Sequence, residues 1–229
     1  MSPWPSVRAA EPVGSSDSQT LIPSRLHIWA WRLVVLAALV VATLGLRYAG
    51  QSAPGRLDTA LDTRLAVRLA SHRRFLDRLV LLGDPRTVIA TAFVLANMLA
   101  VQRRWRAAVL AVVAPATGGA LTELVLKPLV GRTKGGGLAF PSGHTTGAFC
   151  LAFVAALLLI QPGEPPFPVW LRSAVGLGGL ALAAGTATAL VALRAHYATD
   201  TVGGVCVAII AVVGAALALD AIGRGRSPT

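Results

Sequence analysis

Two polar islands in an otherwise apolar chain hold the residues that could do chemistry. The first runs from Lys127 to His144, KPLVGRTKGGGLAFPSGH, and the second is Arg194-Ala-His196-Tyr-Ala-Thr-Asp200. In the first, Lys127, Arg132 and Lys134 stand beside a glycine run and a Pro-Ser-Gly-His turn. Gly135, Gly136 and Gly137 let the backbone approach a ligand without Cβ atoms in the way, and successive free N–H groups in such a turn bind anions. The three cations supply matching charge. In the second island His196 and Asp200 are four residues apart, close to one helical turn. Together the islands could transfer a phosphoryl group. A neutral imidazole attacks phosphorus, a carboxylate fixes its tautomer and stabilises the cation that forms, and a second imidazolium protonates the leaving oxygen. Cations and backbone N–H groups hold the equatorial oxygens. Asp200 raises the basicity of His196 while cations surround His144, so the two histidines can divide the roles. Taken singly, each island also reads as plain structure: a basic loop at a membrane surface, and an interfacial histidine capping an apolar segment.

Other chemistries fit less well. No Cys or His cluster has convincing metal-ligand spacing, and two histidines with one aspartate make a thin metal site, so no metal and no cofactor is expected. GRTKGGG lacks the spacing of a nucleotide-binding glycine loop. Ser142 and His144 sit on one turn, where nucleophile and base rarely align, and the surrounding cations favour a phosphate over a neutral acyl group. Cys150 and Cys206 fall inside apolar segments, so no disulfide is expected.

The elements that must position these groups follow from composition. The 229 residues are 55% hydrophobic and 14% charged, with a formal net charge of +11. A soluble domain carries nearer a quarter charged residues, so the apolar excess points to several bilayer spans. The cations cluster at the ends of apolar stretches and not along one solvated face, which favours anionic lipid or substrate as partner and argues against nucleic acid. Residues 1–27 read as a disordered tail, 28–222 as one membrane domain with its motif core at 127–200, and 223–229 as a second tail. Six spans are expected, near 28–46, 87–101, 107–126, 145–160, 173–193 and 201–219. Between the first and second, residues 51–83 place Leu57, Leu61, Leu65 and Leu69 on one helical face among charges. That pattern describes an amphipathic helix on the membrane surface or capping a bundle. Glu123 stands four residues before Lys127, so the two can pair.

Topology brings the islands together: the chain crosses the membrane twice between them, so both lie on one side. Arg103, Arg104, Arg106, Arg224 and Arg226 fall on the other, which the excess of Lys and Arg on cytoplasmic loops assigns to the cytoplasm. The expectation is an integral protein of a bacterial plasma membrane with an outward-facing site.

Lys127-Pro-Leu-Val-Gly-Arg132-Thr-Lys134, Pro141-Ser142-Gly143-His144 and His196-Tyr-Ala-Thr-Asp200 resemble the three signature motifs of the type 2 phosphatidic acid phosphatase superfamily. Its lipid phosphate phosphatases share a core with vanadium haloperoxidases. The resemblance covers roughly residues 57–220. It implies an all-α bundle of about six spans with a flanking amphipathic helix, and a metal-independent phosphatase that works through a phosphohistidine. His196 would be the nucleophile, Asp200 its partner and His144 the general acid, with Lys127, Ser142 and the Gly143 N–H binding phosphate. Two departures stand out. The family's first motif ends in Arg-Pro, where this chain has Lys134-Gly135, so a bidentate fork becomes a point charge, for which Arg132 could compensate. The family's third motif begins with Ser-Arg, where this chain has Ala189-Leu190. Arg194 could reach the same anion if that stretch is helical. The departures keep open a second reading, a weak or inactive protein of this fold that binds or transports lipid phosphates. No residue reads the identity of the lipid or the oligomeric state.

Overall fold

The computed structural model describes residues 20–159 and 168–224. The described residues are almost entirely helical: α1 His27–Tyr48, α2 Arg56–Arg68, α3 Arg73–Leu81, α4 Pro85–Val101, α5 Trp105–Ala120, α6 Lys127–Val130, α7 Gly143–Leu159, α8 Val169–Ala192 and α9 Ala198–Arg224. A π-helical stretch, Leu121–Leu126, joins α5 to α6 without a break. Six apolar helical stretches lie where six spans are expected. Four of them, Ser24–Tyr48, Trp105–Val130, Val169–Ala192 and Ala198–Arg224, are long and apolar enough to cross a bilayer. Five qualify if Ala70–Leu81 and Pro85–Val101, bent by 50°, form one broken span; α7, Gly143–Leu159, is shorter.

The bundle is assembled around α5, α7 and α9. Leu110, Ala111 and Ala114 of α5, Cys150 and Val154 of α7, and Ala208, Ala211 and Val212 of α9 are all buried together. Small side chains let the backbones approach, which is how apolar helices associate where no hydrophobic contrast separates lipid from protein. The outward faces stay apolar: Leu36, Leu39, Phe93 and Val94 are exposed, as lipid contact requires. Both cysteines are free and buried.

Residues 51–83 form not one amphipathic helix but two short ones, α2 and α3, hinged through a 3-10 turn at Ala70–His72. Leu57 and Leu61 are 69% and 44% exposed, whereas Asp58 is fully buried. Leu65 and Leu69 pack inward with Leu76 and Ala189, so the segment carries both a lipid-facing and a bundle-facing part of the leucine stripe. A polar partner inside the bundle therefore sets the rotation of α2.

The described residues nearest the two ends pack against the bundle. Leu21 and Ile22 are 2% and 5% exposed, and their N–H groups donate to Asp220 Oδ1 and Oδ2 at 2.8 and 2.9 Å. Arg106 pairs with the same carboxylate at 3.0 Å, and Arg224 Nη1 lies 3.3 Å from His27 Nδ1. Arg106 and Arg224 thus share one end of the bundle, away from both islands. Residues 1–19 of the first expected tail, 225–229 of the second with Arg226, and 160–167 lie outside the described residues.

Candidate active site

The two islands meet. The Ser142 N–H donates to the Asp200 carbonyl at 3.0 Å, which ties the Pro-Ser-Gly-His turn to the first turn of α9. Close backbone approach makes this possible. A Cβ on Gly204 would stand 2.7 Å from the Ser142 carbonyl, and one on Gly83 would stand 2.9 Å from the carbonyl carbon of His144. Only glycine fits either place. Held from both sides, His144 lies within electrostatic reach of His196, Asp84, Lys127 and Glu123.

His196 and Asp200 pair as their spacing suggests: Nδ1 is 3.5 Å from Oδ2. That ring nitrogen is buried and makes no hydrogen bond within normal limits. The carboxylate is more tightly held than the ring. Asp200 Oδ1 accepts from Arg132 Nη1 at 2.6 Å and Oδ2 accepts from the Tyr197 N–H at 2.9 Å. The His196 backbone is fixed as well, by its N–H to the Leu190 carbonyl at 3.2 Å and by Lys134 Nζ to its own carbonyl at 2.8 Å.

Lys127 Nζ reaches both carboxylate oxygens of Glu123 at 2.8 Å, the pairing their spacing indicates. The π-helical stretch carries Glu123, and such segments recur at functional sites. A Cβ on Gly143 would collide with that carboxylate and lie 3.9 Å from Lys127 Nζ, so the pair abuts the start of α7. There the first turn leaves the N–H groups of Gly143 and His144 available to an anion. Ser142 is fully buried, and its hydroxyl oxygen accepts from the Thr145 hydroxyl at 3.1 Å and more weakly from the Thr145 N–H at 3.4 Å. It thereby caps α7.

Three expectations change. Arg132 is fully buried and does not face a ligand site. Its Nη2 bonds Asp58 Oδ2 at 2.7 Å, its Nη1 bonds Thr199 Oγ1 at 2.7 Å as well as Asp200, and the Tyr48 and Tyr197 rings lie 3.9 and 4.4 Å from the guanidinium carbon. A planar cation enclosed this way holds the site together and cannot compensate for Lys134. Arg194 is not helical: α8 ends at Ala192, and Arg194 takes a left-handed backbone with φ 60°. The side chain is exposed two residues before His196. Ala189 and Leu190, at the places of the family's Ser-Arg, are 0% and 2% exposed and belong to the packing of α8. The glycine run makes no anion cradle of its own either. Gly135 and Gly136, with φ of 58° and 85°, form the turn of a hairpin pairing Thr133 with Leu138 and Lys134 with Gly137.

The inward acids of α2 are the residues that motif reading misses. Asp58 accepts from Arg132, from the Thr199 N–H at 2.9 Å and from the Thr199 hydroxyl, and Asp62 Oδ2 lies 3.3 Å from Lys134 Nζ. Burial pushes the Asp58 carboxyl up, but hydrogen bonds from Thr199, Arg132 and Gly55 outweigh it and hold the group below the usual carboxylate range. At Asp62 burial prevails over Lys134 and holds the carboxyl above it. A signal was present: two aspartates one helical turn apart in a segment otherwise rich in Arg.

Residues 120–223 match the PAP2 superfamily model. The crystal structure of a transmembrane PAP2-type phosphatidylglycerolphosphate phosphatase from Bacillus subtilis superimposes with a TM-score of 0.64, covering 86% of this chain and 97% of that one at 17% identity. No curated protein sequence matches. Residues 120–223 are thus similar in sequence to the PAP2 superfamily, and the fold is that of the transmembrane PAP2-type phosphatase.

Proposed function

We propose that this integral membrane protein hydrolyses lipid phosphates or diphosphates through a phosphohistidine, at a site facing out of the cytoplasm. The observation that carries the reading is the Ser142–Asp200 backbone bond, which brings His144, His196 and Lys127 around one polar spot. The His196 Nε2 lone pair forms a bond to phosphorus as the bond to the lipid oxygen breaks. His144 gives that oxygen its proton, and Asp200 takes up the charge that develops at Nδ1–H. His144 then removes a proton from water, whose oxygen attacks phosphorus. The N–P bond breaks, its electrons return to His196, and inorganic phosphate leaves. Lys127, the Gly143 N–H and the Ser142 hydroxyl hold the equatorial oxygens, with Arg194 swinging in from the loop and Lys134 adding charge from behind His196.

A lipid substrate suits the surroundings. An apolar cleft of about 630 Å³ runs down α4, α7 and α8 from Leu82 and Thr87 to Met98, with Gly179 on its far wall. Leu82 is the neighbour of Gly83, which touches His144. Thr87 to Met98 spans about 16 Å at the helical rise, near half the thickness of a bilayer core and so one leaflet. One acyl or prenyl chain has room there.

The test is phosphate release by detergent-purified protein, with EDTA present, over phosphatidate, phosphatidylglycerol phosphate and polyprenyl diphosphate. Turnover by the wild type and none by His196→Ala supports the proposal; retained turnover by His196→Ala sinks it. A second reading rests on the burial of Arg132 and Leu190, which leaves fewer cations at the phosphate than the resemblance implies. It makes the chain a binding or transport protein, and tight lipid phosphate binding without turnover would favour it.

A further inference from the structure

Asp58 lies outside residues 120–223, on a helix that carries none of the three motifs, yet it is fully buried against two of them. Its two oxygens collect four donors. Arg132 Nη2 and the Gly55 N–H reach Oδ2 at 2.7 and 3.1 Å, while the Thr199 N–H and hydroxyl reach Oδ1 at 2.9 Å each. Every one of these except Gly55 continues toward the nucleophile. Arg132 bonds Asp200 from its other amino group, and Thr199 precedes Asp200 in the chain. Asp200 faces His196.

The charges explain why a second carboxylate is useful there. Arg132 alone, 2.6 Å from Asp200, would cancel the negative charge that must stabilise an imidazolium. Asp58 takes the other side of the same guanidinium at 2.7 Å, so the buried triad keeps a net negative charge next to His196. We propose that Asp58 is a positioning residue for phosphoryl transfer: through Arg132 and Thr199 it aims the Asp200 carboxylate at His196 and leaves that carboxylate its charge. The inference rests on the reading of His196 as nucleophile.

Other groups stand near the same residue. Lys134, paired with Asp62, bonds the His196 carbonyl; His144 approaches from the start of α7, and the exposed Arg194 lies two residues earlier in the chain. The Tyr197 and Tyr48 rings cover Arg132. These are unchanged in Asp58→Asn, which removes one charge and keeps the shape of the side chain.

The experiment measures kcat and KM of the full-length protein in detergent from acid to alkaline pH, with dioleoyl phosphatidate as substrate. It compares wild type, Asp58→Asn, Asp58→Glu and Asp77→Asn, the last being an exposed acid of α3. Asp58→Asn is expected to lower kcat about 10- to 100-fold with little change in KM, the pattern of an interaction felt in the transition state. Its acid limb should also move to lower pH by roughly half to one unit, because removing a negative charge disfavours the imidazolium. Asp58→Glu keeps the charge but shifts the guanidinium, so kcat falls while the limb stays in place. Asp77→Asn matches wild type. A folded Asp58→Asn protein whose pH profile superimposes on wild type overturns the proposal, whatever its rate. If Asp58→Asn does not fold, a wild-type kcat in Asp58→Glu overturns it instead. A wild type inert on every lipid phosphate removes the reading of the site and this inference with it, whereas an active wild type with an unmoved variant removes only the role of Asp58.

Discussion

Arg132→Met takes away the cation shared by Asp58 and Asp200, two carboxylates with no exposure to solvent. The Met side chain fills much of the space between Tyr48 and Tyr197 but answers neither charge. Breaking a buried pair by removing one partner costs about 3–5 kcal/mol, because the remaining charge has nothing to replace its water. Here two charges are left facing each other, so the upper end of that range applies. For a chain of this length each kcal/mol lowers the melting temperature by about 2–4 °C, which gives a drop of about 10–20 °C. Lys127→Ala breaks a pair whose Glu123 side chain is 50% exposed, and it should cost no more than about 1 kcal/mol. The assay follows from the fold: Cys150 and Cys206 are buried, so a thiol-reactive fluorophore in detergent reports unfolding. A double variant, Arg132→Met with Asp58→Asn, should recover part of the loss. An Arg132→Met protein that melts within about 2 °C of wild type and loses only substrate affinity would refute the reasoning and return Arg132 to the phosphate.

Other consequences can be checked alongside. Arg194→Gly relieves a left-handed backbone at φ 60° and should raise stability by up to about 1 kcal/mol in the thiol assay, while removing the charge lowers kcat/KM about 100-fold; an unchanged rate would leave Arg194 without a role at the phosphate. Gly179→Leu places a side chain in open space on the wall of the apolar cleft, and kcat/KM for long-chain substrates should fall roughly tenfold relative to short-chain ones. Equal losses for both chain lengths would count against the cleft as a tail site. Asp58 is held below its usual range by its hydrogen bonds, so its stabilising effect is complete above the unfolded value near 3.8 and lost as pH falls through the lower folded value. Melting curves of wild type should therefore decline more steeply through that acid window than those of Asp58→Asn, and parallel curves would contradict the assignment.

The apolar runs, the flanking segment and the convergence of the two islands were legible in the sequence because each rests on local pattern or on counting crossings. The Glu123–Lys127 pair was legible for the same reason, since four residues on a helix fix the geometry. What escaped was long-range. Nothing in KPLVGRTK says that Arg132 turns inward, because its partners stand 74 and 68 residues away at Asp58 and Asp200. The leucine stripe of α2 did not say which of its residues turn inward, for a related reason. In a membrane protein, apolar side chains are satisfied facing lipid, so the buried face is chosen by the polar residues. Arg194 likewise depended on whether its stretch is helical: α8 ends at Ala192, and the Arg194 backbone is left-handed.

The central claim is a covalent bond between phosphorus and His196. Purified protein is mixed with a lipid phosphate carrying labelled phosphorus in the presence of EDTA, quenched in alkali, which preserves phosphohistidine, and digested for peptide mapping. Label on the peptide containing His196, lost in His196→Ala together with turnover, is the expected result. Undiminished turnover with no label on that peptide at any time, or turnover that survives His196→Ala, would contradict it.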